Sequence, residues 1–175
     1  MIYKFTLLSD ESDDFLRVIE IDSDATFFDF HKAILKACGY KDDQMTSFFI
    51  CDRNWGKETE ITLEAMDTSS EVDSYIMRDT KISEFCEEKK QRLLYEFDPL
   101  AGRDFFIELT NITFKKDLKE PVCSRSEGKA PAQTIDPDLS GSFGDNEDDY
   151  YGDVNNYDDE ELDGLTITDG IPFKD

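Results

Sequence analysis

RLLYEFDPLAGRDFFIELTNITF, residues 92–114, is the densest run of β-forming residues in the chain. Aromatic and β-branched side chains fill both arms, and Pro99 to Gly102 supplies a turn between them. The pattern predicts two antiparallel strands. The hairpin is expected to close the folded domain, because the composition changes just beyond it. From Glu120 onward Asp, Glu, Asn and Gly dominate, and Pro121, Pro131 and Pro137 interrupt the backbone. Such a stretch buries too little apolar area to offset the entropy of ordering. The expected organisation is a domain over residues 1–119 and an acidic, largely irregular tail over residues 120–175.

Working outward from the hairpin, Ile2–Leu8 and Phe15–Ile21 read as a second pair of strands around a polar turn. Asp24 or Thr26 is placed to cap a helix that runs to Cys38, with Asp29 suited to its first turn and Gly39 at its exit. Phe27, His31, Ile34, Leu35 and Cys38 recur at spacings of three and four, which makes one buried stripe, with Lys32 and Lys36 on the wet side. Met45–Cys51 predicts a third strand, and Glu58–Leu63 a short strand at an edge. Asp67–Asp73 reads as a loop and Lys81–Glu88 as a short helix with Ile82 and Phe85 inward. The order ββαββαββ implies an α+β domain, a small mixed sheet packed on one main helix, with a β-grasp-like arrangement as the topology.

The 175-residue chain carries 19 basic and 42 acidic residues, a formal charge of −23. Residues 1–119 contribute −10 and residues 120–175 contribute −13. A surface of this sign repels phosphate backbones, so direct nucleic-acid binding is not expected, whereas basic protein partners are. No apolar run approaches the ~20 residues that span a bilayer, and the N-terminus lacks the long apolar core of a signal peptide. Cys38, Cys51, Cys86 and Cys123 form no CxxC pair and read as reduced thiols, three of them in or near the core. The cytoplasm is the expected location.

The tail holds one pattern with a chemical meaning. Over residues 136–147, DPDLSGSFGDNE, the residues Asp136, Asp138 and Ser140 fall at positions one, three and five of an EF-hand calcium loop. Gly141 is at six, Ser142 follows it, Phe143 takes the hydrophobic eighth place, and Glu147 stands at twelve. Oxygens at this spacing can wrap Ca²⁺. Pro131 and Pro137 oppose an entering helix, and acid-rich tails generate such matches by chance, so a solvated tail is the plainer reading. No other cofactor is expected.

His31 is the single histidine. On an apolar stripe it reads first as a packed residue that makes a hydrogen bond, and second as a general base or ligand. Arg17, Asp98, Arg103 and Asp104 would form a polar cluster with it if the two hairpins are neighbours. An Arg–Asp pair in an aromatic sheet more often sets a turn or a strand register than a reaction. There is no glycine-rich phosphate loop and no nucleophile elbow.

Several of these segments together resemble one family. FLRVIEI (15–21) carries Arg17, TFFDFHKAILKACGY (26–40) has the aspartate-x-histidine-x-x-isoleucine helix ending in glycine and an aromatic, and DDQMTSF (42–48) follows. YEFD (95–98) lies in the hairpin, and PVCSRSEGKAPAQ (121–133) is similar to a proline-cysteine closing segment. This resembles the Ri-plasmid ORF-3-like family, proteins carried on plasmids and as transposon passengers. The resemblance covers the first 133 residues and implies an architecture rather than a reaction. Gln44 stands where the family pattern has a histidine. Asp98 is kept in the hairpin, but Arg103 and Phe105 replace polar residues expected there. The second cysteine and the acidic pair are missing around Ala132 and Gln133. If those residues make a site in relatives, this chain lacks it. The expected function is an interaction module, not an enzyme, that binds a protein through its sheet edge or acidic tail. The alternatives are calcium binding by the tail loop and an enzyme built on His31, Arg17 and Asp98.

Overall fold

Alternation in the first strand decides which way the sheet faces. Tyr3, Phe5 and Leu7 are buried toward one side, and Lys4, Thr6 and Leu8 point to the other. The computed structural model describes residues 1–65 and 75–135. Over them the chain forms β1 (Ile2–Ser9), β2 (Leu16–Asp22), α1 (Phe27–Cys38), β3 (Ser47–Cys51), β4 (Lys57–Thr62), β5 (Tyr75–Ile76), β6 (Arg92–Asp98), β7 (Arg103–Thr113) and β8 (Val122–Glu127). They make one mixed sheet in the order β5-β4-β3-β6-β7-β1-β2-β8. Every described pairing is antiparallel except β4 with β5.

The residues 92–114 form the predicted hairpin, but it lies in the middle of the sheet rather than at its close. β6 pairs with β3, and β7 pairs with β1. Each arm thus has a hydrogen-bonded neighbour on either side. The β-grasp expectation fails at the centre. That arrangement sets its first and last strands side by side in parallel, whereas here β1 runs antiparallel to β7 and β2.

The sheet also continues beyond Lys119. β8 pairs with β2 from Leu16↔Glu127 to Glu20↔Val122, with a bulge between Val18 and Ile19. Its side chains are all exposed. Apolar patterning therefore carries no signal for it, and backbone pairing alone makes the strand. The expected helix at 81–88 shrinks to a 3₁₀ turn, Ile82–Glu84. A segment this short cannot hold an α-helix unaided. Phe85 and Cys86 N–H close the turn on the Ile82 carbonyl at 3.1 and 2.9 Å, and the Glu87 and Glu88 amides that would extend it donate to Gln91 Oε1. The loop expected at 67–73 lies outside the described residues.

The helix α1 forms as the sequence dictates. Thr26 Oγ1 accepts from Asp29 N–H, and Thr26 N–H donates to Asp29 Oδ2, both at 3.1 Å, a complete capping box. Gly39 ends it at φ +71°, the left-handed conformation that favours glycine. Phe27, Phe30, His31, Ile34 and Leu35 are buried against the sheet. Phe30 stacks on Phe5 at 4.6 Å and on Phe48 at 5.2 Å between ring centres. Full burial of one such ring contributes about 1.5–3 kcal/mol. Lys32 and Lys36 are exposed, as read.

The sheet face away from α1 carries a smaller cluster of Leu8, Leu16, Leu94 and Trp55. Trp55 folds over from the β3–β4 loop, edge-on to Phe106 at 5.0 Å and 4.8 Å from the Arg92 guanidinium. That guanidinium faces Glu108 at 3.5 Å.

Gly128, just past β8, has φ +70°, and a Cβ there would sit 2.2 Å from the Asp14 carbonyl oxygen. Gly39 has the same backbone conformation and nothing within 4 Å. Left-handed strain alone costs an alanine about 1–2 kcal/mol. Gly128→Ala is therefore expected to lower the urea midpoint more than Gly39→Ala does. Equal losses would show that the contact with Asp14 does not matter.

Candidate functional site

His31 leaves α1 toward the sheet and is fully buried. Its Nδ1 lies 2.8 Å from the Tyr95 hydroxyl and 3.3 Å from Thr46 Oγ1, and its Nε2 lies 3.1 Å from Asp42 Oδ1. A carboxylate only accepts, so Nε2 carries the proton and donates to Asp42. Nδ1 then accepts, and Tyr95 O–H donates to it. Burial keeps the Tyr95 phenol protonated by pushing its pKa far up. Burial also lowers the His31 pKa, against the opposing pull of Asp42. The result is a neutral imidazole held between a buried phenol on β6 and a carboxylate that is half in water.

Both ring nitrogens are occupied and the ring is out of solvent, so in this arrangement no substrate reaches it. What the chain of bonds does is tie α1, the segment after it and β6 together. The depressed pKa has a consequence for stability. The folded state resists protonation that the unfolded chain accepts near pH ~6.5. The contribution is thus fully present above that value and is lost as pH falls through it toward the lower folded pKa. Urea melts across this window should show a larger acid loss for the wild type than for His31→Asn. Identical pH slopes would exclude His31 as the cause.

The other polar residues divide into two clamps on the segment that follows β8. Arg103 donates from Nε and Nη2 to both Glu11 carboxylate oxygens at 2.8 and 2.7 Å, and from Nη1 to Asp98 Oδ2 at 3.1 Å. It also reaches the Ala132 carbonyl at 2.7 Å and the Gln133 carbonyl at 3.3 Å. Its guanidinium rests 4.8 Å from the centre of the Phe97 ring. Arg17 donates only to carbonyls: Ala37 at the end of α1 at 2.9 Å, Leu16 at 2.8 Å, Glu127 at 2.7 Å and Gly128 at 3.0 Å. A cation at this end of a helix is favoured by the helix dipole.

Between the clamps, Tyr40 O–H donates to the Pro131 carbonyl at 2.5 Å. Gln133 exchanges hydrogen bonds with the backbone of Lys41 at 2.9 and 2.6 Å. Residues 127–133 thus form a strap across the C-terminal end of α1. The structure brings Asp98 and Arg103 together, places Arg17 on a separate set of carbonyls, and gives His31 none of these partners. Asp104 points to the other face of β7 beside Glu96, where burial lifts its carboxyl to about 6. Glu11, Asp42, Thr46, Tyr95 and Gln133 complete these groups. All but Glu11 lie in segments that carry the family resemblance, but the partner each one meets is set by the fold alone.

A groove of about 630 Å³ runs between the outer side of α1 and residues 118–121, and Tyr40 and Asp42 line one end of it. The calcium-loop residues Asp136, Asp138, Ser140, Ser142 and Glu147 lie outside the described residues. Among the described residues no group of three or more His, Cys, Asp or Glu is placed to hold a metal. All four cysteines are unpaired. Burial pushes the Cys38, Cys51 and Cys86 thiols up to about 12, which leaves them un-ionised at neutral pH. No described helix is long and apolar enough to cross a membrane.

Comparison with known proteins gives a family and a fold. No curated protein matches the chain. Among solved structures it is similar to the crystal structure of a protein of unknown function from Methanosarcina mazei Go1, with a TM-score of 0.55 and 18% identity over 99% of this chain and 92% of that one. The family model for plasmid pRiA4b ORF-3-like proteins matches residues 2–163, past the strap and well into the acidic tail. The Arg17 strand, the His31 helix and the closing segment around Cys123 are thus parts of one pattern, and the chain belongs to the plasmid pRiA4b ORF-3-like protein family.

Proposed function

We propose that the chain is a cytoplasmic interaction module, not an enzyme, which takes a strand from a basic protein partner onto the outer edge of β8. The observation that carries this reading is the edge itself. β8 pairs on one side with β2, and all six of its residues are exposed. A strand in this position offers a row of backbone donors and acceptors to an extended peptide. The opposite edge, β5, has two residues and offers little. The charge of −23 favours a basic partner and speeds its encounter. The buried state of His31 supports the absence of catalysis by that residue.

The test is hydrogen exchange on the full chain with a partner captured by pull-down. Protection of residues 122–127 on complex formation is the expected result, and it should persist when residues 136–175 are deleted. Protection confined to other segments would overturn the β8 reading. Loss of the partner on deletion would move the function to the tail.

A further inference from the structure

We propose that the cleft between the β3–β4 loop and the segment entering β6 binds a phosphate dianion, free or carried by a small molecule. Antiparallel pairing sets Cys51, at the end of β3, beside Arg92, at the start of β6. The loops 52–56 and 87–91 therefore leave the same end of the sheet. They wall a cavity of about 540 Å³ whose charged lining is Arg53, Lys89, Lys90 and Arg92 against Asp52 and Glu88. That balance reverses the chain as a whole, which has 42 acids and 19 bases. Arg92 is the fixed wall: it is 4% exposed, donates from Nη1 to the Arg53 carbonyl at 2.6 Å and faces Glu108 at 3.5 Å. With that charge set against Glu108, three cations still face two carboxylates. One of the two, Asp52, accepts the Asn54 and Gly56 amides on Oδ1, both at 2.8 Å. Arg53, Lys89 and Lys90 have no ion pair within 4 Å among the described residues. Several cations around one cavity suit a ligand with more than one negative charge.

The cleft is also pre-shaped. Trp55 and Lys90, one in each loop, hold left-handed backbone at φ +65° and +77°. Strain of this kind persists only where the surroundings impose it, and it gathers at ligand clamps. Lys90 N–H donates to the Leu109 carbonyl at 2.8 Å. Gln91 Oε1 accepts the Glu88 amide, and Gln91 Nε2 donates to the Phe85 carbonyl, both at 2.7 Å. A ligand thus meets lysines on a loop that is already ordered, which lowers the cost of binding. The volume suits a small molecule, and the acidic surface of the chain opposes an extended polyanion. β7, β1 and β2 separate the cleft from β8, so this inference does not rest on the proposed partner site.

Isothermal titration calorimetry of the full chain with inorganic phosphate and with adenosine monophosphate, at an ionic strength fixed with sodium chloride, tests the proposal. Saturable binding of at least one of them is the expected result. Phosphate binding as tightly as the nucleotide marks the free anion as the ligand, and tighter nucleotide binding marks a phosphorylated small molecule. Lys90→Gly should weaken that binding about tenfold. It should fold at least as well as the wild type, because glycine adopts φ +77° without strain. Lys115→Gly makes the same change at φ +62° outside the cleft and should bind as the wild type does. The proposal is overturned if neither ligand saturates, if Lys90→Gly binds as tightly as the wild type, or if Lys115→Gly weakens binding equally.

Discussion

Arg103→Ala is expected to lower the stability of the chain by about 3–5 kcal/mol, the usual cost of breaking a buried charge pair from one side. Arg103 and Asp98 are both more than nine-tenths buried, and they meet at 3.1 Å. Removing the guanidinium leaves the Asp98 carboxylate in a poorly solvated place without its main partner, and strips hydrogen bonds from the Ala132 and Gln133 carbonyls. The Glu11 arm adds less, because that carboxylate is about one-third exposed and water can replace the guanidinium there.

Urea unfolding would measure the loss, and the strap would report it locally through faster proteolysis within residues 128–135. Arg103→Lys should recover little, since an ammonium cannot span two carboxylates and two carbonyls at once. Asp98→Asn/Arg103→Ala should be less damaging than the sum of the two single changes, because the stranded charge is gone. Additive losses would show that the pair is not coupled and that the strap is held by other contacts.

Phe105→Ala, two residues along the same strand, is expected to cost about 3–5 kcal/mol through the cavity it leaves. Phe105 is fully buried and is the meeting point of four rings. It stacks on Phe97 at 4.4 Å, Phe15 at 4.9 Å, Tyr40 at 6.1 Å and Tyr95 at 6.4 Å. Those rings come from β6, the turn before β2, the segment after α1 and β6 again, so no single neighbour can relax to fill the space. Phe106→Ala is the control. Its ring lies on the opposite face, half-buried under Trp55 at 5.0 Å, and its loss should be clearly smaller. A Phe106 loss as large as that of Phe105 would refute the assignment of the main core to the α1 side.

In this hairpin Arg103 is a clamp for backbone carbonyls and Phe105 is the hub of an aromatic core.

Local signals were legible wherever the physics is local. The capping box needs only Thr26 and Asp29, three residues apart, and the helix exit needs only a glycine able to reach φ +71°. The alternation of Tyr3, Phe5 and Leu7, or of Leu93, Tyr95 and Phe97, names the buried face without knowledge of any neighbour. Such patterns located six of the strands, less well at their ends than at their centres: β3 begins at Ser47 rather than Met45, where its pairing with Glu96 of β6 starts.

What failed to show in the sequence was everything that depends on which distant backbone lies alongside. β8 has no apolar alternation, and it is a strand because β2 has a free edge to pair with. The turn at Ile82–Glu84 does not grow into an α-helix because the Glu87 and Glu88 amides that would extend it donate to the Gln91 side chain instead of to the Ser83 and Glu84 carbonyls. Asp42 opens a segment of the family resemblance, but only the fold sets it 3.1 Å from a buried imidazole.

Composition and periodicity were thus sufficient for a sheet with one covering helix, an aromatic core and an acidic extension, since burial pattern and charge are properties of residues taken in order. The central position of the 92–114 hairpin, the strap held by Arg17 and Arg103, and the groove beside α1 came only from the assembled structure. Strand order and hydrogen-bond partners are relations between segments far apart in the chain, and the free energy that selects them is summed over the whole sheet.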